Sequence, residues 1–77
     1  MFDKLTRILV RSFQVPAAAI TPEATLEELE LDSLDLVELA LVVKEEFGAY
    51  VTDDDLAQAG NVASIITLVE ARQGSKV

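Results

Sequence analysis

The amino-acid sequence predicts an all-α protein: a four-helix bundle with three long helices and one short helix, and a long loop between the first and second helices. Apolar residues recur at helical spacing in three segments of the chain, and no alternating pattern of useful length indicates a strand. Capping residues, glycines and prolines separate these segments. With 77 residues we expect a single domain, residues 1–77, ordered over about 2–72.

The first helix is predicted at the N-terminus, where the apolar side chains that share one face are Phe2, Leu5, Ile8, Leu9 and Phe13. It ends near Gln14, because Pro16 disfavours helical geometry at the residue before it. A connecting loop then runs roughly over residues 15–30. Within it, Thr25 and Glu28 have the spacing of a capping box, which predicts a short turn.

The second helix is predicted over Ser33–Phe47, because Gly48 provides a C-terminal stop and a capping residue precedes the apolar pattern. Either Asp32 or Ser33 is suited to be its N-cap, since each side chain can accept from a first-turn amide. At a rise of 1.5 Å per residue this helix is about 22 Å long.

The C-terminal part of the chain predicts one short and one longer helix. A capping box at Thr52 starts the short helix, which extends to about Gln58, and Gly60 and Asn61 interrupt the chain. The last helix is marked by four apolar residues and by a base suited to its negative end: Val62, Ile65, Ile66, Val69 and Arg72. The tail, residues 74–77, is expected to be frayed.

Composition excludes several classes of function. The chain has no cysteine and no histidine, so it lacks a thiol nucleophile, the commonest general base and the commonest transition-metal ligand. A net charge of −8 argues against nucleic-acid binding, which depends on Lys and Arg. No apolar run is long enough to span a membrane. We therefore expect a cytoplasmic protein that is not an enzyme, and mutual repulsion favours a monomer.

The negative charge is concentrated in the middle of the chain. Residues 23–55 hold twelve acids and one base, a net charge of −11, whereas residues 1–22 carry +2 and residues 56–77 carry +1. Such a block is either a solvated face or a docking surface for a basic partner.

Two apolar stripes run along the predicted second helix. One is continuous and faces the core: Leu36, Leu39, Ala40, Val43 and Phe47. The other lies on a different side, beside acidic residues: Leu34, Val37 and Leu41. The helix is either buried on two sides of a small bundle, or it exposes a second stripe rimmed by carboxylates, as interaction sites do.

Ser33 is the serine that stands at the start of this acidic helix, directly after a carboxylate. In an arbitrary protein, Asp-Ser at a helix start is most often only a cap. The alternative is that another enzyme modifies Ser33 and supplies the base and metal that this chain lacks. The run Asp53-Asp54-Asp55 does not have the alternating spacing of a calcium loop, so no specific metal site is predicted.

From Leu29 to Leu39 the chain resembles an acyl carrier protein, whose family signature is an Asp-Ser-Leu triplet at the start of an acidic helix, here Asp32-Ser33-Leu34. The resemblance continues through Glu45-Glu46-Phe47, Val51–Asp55 and Val62, and it covers about residues 1–72. It implies a four-helix bundle in which Ser33 receives 4′-phosphopantetheine from coenzyme A. The thiol of that arm carries acyl groups as thioesters between enzymes of fatty-acid or polyketide-type biosynthesis.

The resemblance also assigns roles to residues around Ser33. Asp32 and Leu34 flank the attachment site and are recognised by the phosphopantetheinyl transferase. The implied contacts with partner enzymes are Asp35, Val37, Glu38, Leu41, Glu45 and Glu46. The implied partners have basic surfaces and include the phosphopantetheinyl transferase, an acyltransferase or acyl-ligase, and a ketosynthase.

One departure from the family pattern lies just before the attachment site. Glu30 stands where the family usually has glycine, so we expect the loop before Ser33 to bend differently. Two other functions stay open at this stage. One is an aminoacyl carrier of the D-alanyl type, which has the same fold and arm, and the other is a small acidic helical adaptor without a prosthetic group.

Overall fold

The computed structural model describes residues 2–73, and these form four α-helices with no β-strand. The helices are α1 (Phe2–Phe13), α2 (Ser33–Phe47), α3 (Asp53–Ala59) and α4 (Val62–Arg72). The predicted class, three long helices and one short helix with a long loop before the second, is confirmed. No helix within residues 2–73 combines the length and the apolar character needed to cross a membrane. The expected frayed tail, residues 74–77, lies outside the described residues.

Side-chain caps fix where the helices begin. Asp32 is the N-cap of α2, which resolves the choice between Asp32 and Ser33. Thr52 caps α3 through a capping box with Asp55, as predicted, and Asn61 caps α4 by accepting from the Ser64 amide at 2.8 Å. At the other end of α2, Gly48 adopts φ 67°, a left-handed conformation in which its N–H donates to the Lys44 carbonyl.

The hydrophobic core contains aliphatic residues from every helix and from the long loop, with Phe47 as its aromatic member. Its largest fully buried side chains are Leu5, Leu9, Leu39, Val43, Leu56, Val62, Ile65 and Val69. No polar or charged residue among the described residues is buried. The charged side chains within residues 2–73 therefore lie at or near the surface, where partners can meet them.

The long loop between α1 and α2 is an ordered part of the bundle. It inserts its own apolar side chains into the core: Val15, Ile20, Ala24, Leu26 and Leu29. Its backbone is also bonded to the start of α4, since Val62 donates to the Ala24 carbonyl at 3.0 Å and Leu26 donates to the Gly60 carbonyl at 3.1 Å. A 3₁₀ turn at Ala17–Ala19, which the sequence did not predict, lies within it. The loop thus holds the residues that lead into Ser33 against the rest of the molecule.

Candidate functional site

Ser33 is the first residue of α2, and a capping box determines where that helix begins. The Asp32 carboxylate accepts from the Asp35 amide at 2.9 Å, and the Asp35 carboxylate accepts from the Asp32 amide at 3.2 Å. These reciprocal bonds satisfy amides that have no partner inside the helix. Asp32 therefore has a structural role as the N-cap of α2, independent of any contact with a partner enzyme.

The Ser33 side chain is exposed, and its hydroxyl has no hydrogen-bond partner within residues 2–73. It does not cap the helix, because Asp32 does so. An exposed alcohol at a helix N-terminus is open to an enzyme that brings its own base. The positive end of the helix favours a phosphate ester at this position, although Asp32 and Asp35 oppose it with their negative charge.

Glu30 adopts φ 59°, the left-handed conformation that glycine accepts most easily. Its N–H donates to the Glu27 carbonyl at 3.0 Å, and the N–H of Leu31 donates to the Leu26 carbonyl at 3.0 Å. This pair of bonds is a Schellman motif, in which the left-handed residue is usually glycine. Glu30 makes this left-handed turn despite its side chain, and the expectation that the loop bends differently from that of glycine-containing relatives stays a prediction.

The predicted capping pair at Thr25 is present in the same turn. The Thr25 hydroxyl accepts from the Glu28 amide at 3.1 Å, and the Glu28 carboxylate accepts from the Thr25 amide at 2.9 Å. The turn that ends at Glu30 is therefore fixed at both of its ends. Ser33 follows only three residues later, so the approach of the chain to the attachment position is well defined.

The two apolar stripes of α2 have different surroundings. Four residues of the first stripe are buried, and Val43 is 0 % exposed. In contrast, Leu34, Val37 and Leu41 are 78 %, 45 % and 59 % exposed. We call these three residues the exposed strip. The alternative that α2 is buried on two sides was wrong, because the strip is exposed to solvent.

The acidic residues of α2 divide between two sides of the helix. Glu38 and Glu45 are exposed and flank the exposed strip at helical spacing. Asp35 is half-buried and engaged in the capping box. Glu46 lies on the side that faces α1, where Lys4 Nζ is 3.8 Å from its carboxylate and donates to its carbonyl at 2.9 Å. Of the acidic residues predicted on α2, Glu38 and Glu45 are thus the ones placed beside the strip.

The surroundings of Asp55 alter its ionisation. The Thr52 backbone N–H, and then Arg72, lower the pKa of Asp55, while partial burial acts in the opposite direction. Arg72 Nη1 donates to Asp55 at 3.1 Å and to the Tyr50 carbonyl at 2.9 Å. Asp55 therefore belongs to the fold, since it joins the start of α3 to the end of α4.

Tyr50 is an exposed aromatic residue that the sequence reasoning missed. Its side chain is 57 % exposed, in the segment between α2 and α3. A single tyrosine outside any periodic pattern does not reveal from its spacing whether it is buried. The available signal for exposure was its position two residues after a helix-ending glycine and shortly before an acidic run.

The start of α2 thus brings together an exposed serine, an acidic helix and an exposed apolar strip. Residues 3–69 match the family model for the phosphopantetheine attachment site. The chain belongs to the acyl carrier protein family.

Relatives named acyl carrier protein match the chain over nearly its whole length. The protein from Solidesulfovibrio magneticus is 37 % identical over 73 residues, which cover 94 % of each chain. The one from Nitratidesulfovibrio vulgaris is 36 % identical over 72 residues, 92 % of this chain and 95 % of its own. The one from Helicobacter pylori strain G27 is 32 % identical over 71 residues, 91 % of each chain.

Membership of this family identifies the protein as a carrier rather than an enzyme, with 4′-phosphopantetheine as its covalent prosthetic group. The residues at the start of α2 fit such a group. The Ser33 hydroxyl is exposed and free of internal bonds, and the buried core does not depend on it. The terminal thiol of the bound group supplies the thioester chemistry that a chain without cysteine cannot perform.

Proposed function

We propose that Ser33 is the residue to which 4′-phosphopantetheine is attached. The observation that carries the proposal is the exposed, unbonded hydroxyl at the first position of α2, in the triplet Asp32-Ser33-Leu34. The exposed hydroxyls of Ser12 and Ser64 lie within α1 and α4 and lack this setting. A phosphopantetheinyl transferase would transfer the arm from coenzyme A: a P–O bond forms to the Ser33 oxygen as the pyrophosphate P–O bond of coenzyme A breaks, 3′,5′-ADP leaves, and the serine proton passes to a base of that enzyme.

The exposed strip and its neighbouring carboxylates form the surface that partners read. Leu34, Val37 and Leu41 supply apolar contact, while Glu38 and Glu45 attract Arg and Lys on the partner. Asp32 and Leu34 are the recognition residues nearest to Ser33. Asp35 and Glu46 add further negative charge to this surface. Each also makes a contact within the protein, Asp35 with the Asp32 amide and Glu46 with Lys4.

The cargo that suits this role is an acyl thioester that passes between enzymes of fatty-acid or polyketide-type biosynthesis. Its partners would be an acyltransferase or acyl-ligase and a ketosynthase, each with a basic docking surface. The charge of −8, which makes two copies repel each other, supports a monomer. The cytoplasm, where coenzyme A and these enzymes meet, is the proposed location.

Intact mass measurement tests the attachment site directly. The protein is incubated with coenzyme A, magnesium and a broad-specificity phosphopantetheinyl transferase, and is then weighed beside Ser33→Ala and the matched control Ser64→Ala. Wild type and Ser64→Ala are expected to gain one phosphopantetheine, and Ser33→Ala none. An equal gain in Ser33→Ala would place the arm elsewhere, and no gain in wild type would refute the carrier reaction.

A further inference from the structure

Tyr50 presents its ring to solvent because its neighbours in the chain are turned inward. Ala49 is 0 % exposed and Val51 is half-buried, whereas Tyr50 is 57 % exposed. Among the described residues, Tyr50 and the three members of the exposed strip are the large hydrophobic residues at the surface. Exposed large apolar side chains that cluster are typical of interaction sites.

The position of Lys44 shows that the ring lies at the C-terminal end of the exposed strip. Lys44 follows Leu41 by three residues, so both lie on the same side of α2. Its ammonium is 5.0 Å from the centre of the Tyr50 ring, within the range of a cation–π contact. The ring therefore lies beside Lys44, beyond the last member of the exposed strip.

The backbone that carries Tyr50 is fixed by α4. Arg72 donates to the Tyr50 carbonyl at 2.9 Å, and the same Nη1 nitrogen donates to the Asp55 carboxylate at 3.1 Å. The segment therefore has a defined position without any help from the ring itself. A ring on a fixed backbone loses little conformational freedom when a partner covers it, which is a favourable situation for binding.

A partner that receives the Ser33 arm is large enough to reach Tyr50. The two residues lie at or beyond opposite ends of α2, a helix of fifteen residues and about 22 Å. An interface of ordinary size covers about 800 Å² on each partner, a patch roughly 30 Å across. Within five residues of Tyr50 in the chain the exposed charged residues are all acidic, namely Glu45, Glu46, Asp53 and Asp54, whereas the Lys44 ammonium lies at the ring itself. The complementary surface is an apolar pocket surrounded by basic residues.

From these observations we infer that Tyr50 is a further docking contact, which inserts its ring into an apolar pocket rimmed by Arg or Lys on the enzymes that act on the Ser33 arm. This inference rests on the proposed function, because it extends the same docking surface. The ammonium of Lys44, the one base within residues 23–55, lies 5.0 Å from the ring centre and must move aside when the ring enters such a pocket.

The inference is tested with the phosphopantetheinyl transferase, by measuring KM and kcat for loading of the full-length protein. Tyr50→Ala is expected to raise KM about fivefold with kcat unchanged, as for truncation of an aromatic anchor. Tyr50→Phe, which keeps the ring, is the matched control and is expected to retain the wild-type KM. The melting temperature of both variants should equal that of wild type, because the ring is exposed.

A double variant separates the loss of the ring from the release of Lys44. If Tyr50 acts only by holding the lysine, Tyr50→Ala combined with Lys44→Gln will have the KM of Lys44→Gln alone. If the ring itself is the contact, the double variant will retain the fivefold increase relative to Lys44→Gln. A KM for Tyr50→Ala within twofold of wild type would overturn the inference and leave Ser33 attachment standing. Failure of wild type to be loaded would instead refute the proposed function.

Discussion

The two apolar faces of α2 are built from similar residues and have opposite surroundings. Leu39 on one face is 1 % exposed and is packed in the core. Leu41, two residues later, is 59 % exposed to solvent. Burial of a leucine side chain is worth about 1.5–3 kcal/mol, so the first face contributes to folding and the second retains that potential for a partner.

The difference shows how one helix can have two functions in so small a protein. The face that includes Leu36 and Val43 joins α2 to the rest of the bundle. The opposite face adds acidic residues to leucine and valine, so that it attracts a basic partner as well as an apolar one. Substitutions should therefore separate into those that affect stability and those that affect recognition.

The largest expected effect compares one leucine from each face. Leu39→Ala leaves a cavity in the core and should lower the free energy of unfolding by about 2–5 kcal/mol. Leu41→Ala should change the free energy of unfolding by less than about 0.5 kcal/mol, yet raise KM for the transferase. Denaturant unfolding and loading kinetics measure the two effects. Equal losses of stability in the two variants would remove the distinction between the faces.

Asp32 combines the two functions in one residue, and two substitutions separate them. Asn caps a helix about as well as Asp, whereas Ala does not, so Asp32→Ala should cost about 1 kcal/mol of stability and Asp32→Asn close to none. Both variants remove the charge and should slow Ser33 loading to the same extent. Wild-type loading in Asp32→Asn would assign Asp32 to the fold alone.

Glu30, three residues before Ser33, adopts a left-handed backbone conformation that destabilises the folded protein. Glu30→Gly should raise the free energy of unfolding by about 0.5 kcal/mol, because relief of the left-handed backbone exceeds the added entropy of the unfolded chain. Glu30→Ala removes the same charge but keeps a β-carbon, and with it the strain of the left-handed backbone, so it serves as the matched control. If the glycine and alanine variants were equally stable, the backbone strain would be no larger than the added entropy of the unfolded chain, and the predicted gain would be refuted.

Asp55 provides a carboxylate that serves the fold, in contrast with Glu38 beside the strip. Its pKa in the folded protein lies below the ordinary value of 3.8, so its stabilising contribution is complete above that pH and is lost as the pH falls through the lowered pKa. Asp55→Asn should therefore melt below wild type at pH 7, and the gap should close in acid. Melting curves of both proteins between pH 7 and pH 2 measure the difference in melting temperature. A difference that does not change with pH would contradict the role of the Asp55 charge.

The sequence predicted the helices well because local patterns determine them. Helical spacing, the capping box at Thr52 and the stop at Gly48 are properties of short segments, and each is confirmed. Other features depend on how the helices pack, which spacing does not reveal. The ion pair that turns Glu46 toward Lys4 is one, and the contact that places Tyr50 beside Lys44 is another.

The attachment site was predicted from the resemblance of a short motif rather than from the physics of its residues. By local reasoning alone, both Asp32 and Ser33 could cap α2, and only the structure assigns that role to Asp32. The conformation of Glu30 was also beyond local reasoning. Glutamate disfavours a left-handed backbone, and the surrounding Schellman bonds overcome this preference.

The central claim is that partners read the acidic, apolar face of α2, and two charge reversals test it most directly. Glu38→Lys and Glu70→Lys each replace an exposed carboxylate with an ammonium, on α2 and on α4, and therefore change the net charge equally. We expect Glu38→Lys to raise KM for Ser33 loading about tenfold, equivalent to 1.4 kcal/mol of binding free energy. Glu70→Lys should stay within about twofold of wild type, because Glu70 lies on α4 and not on the acidic, apolar face of α2. Equal increases in KM would contradict the account, because they would show that the transferase responds to the net charge of the protein and not to this face.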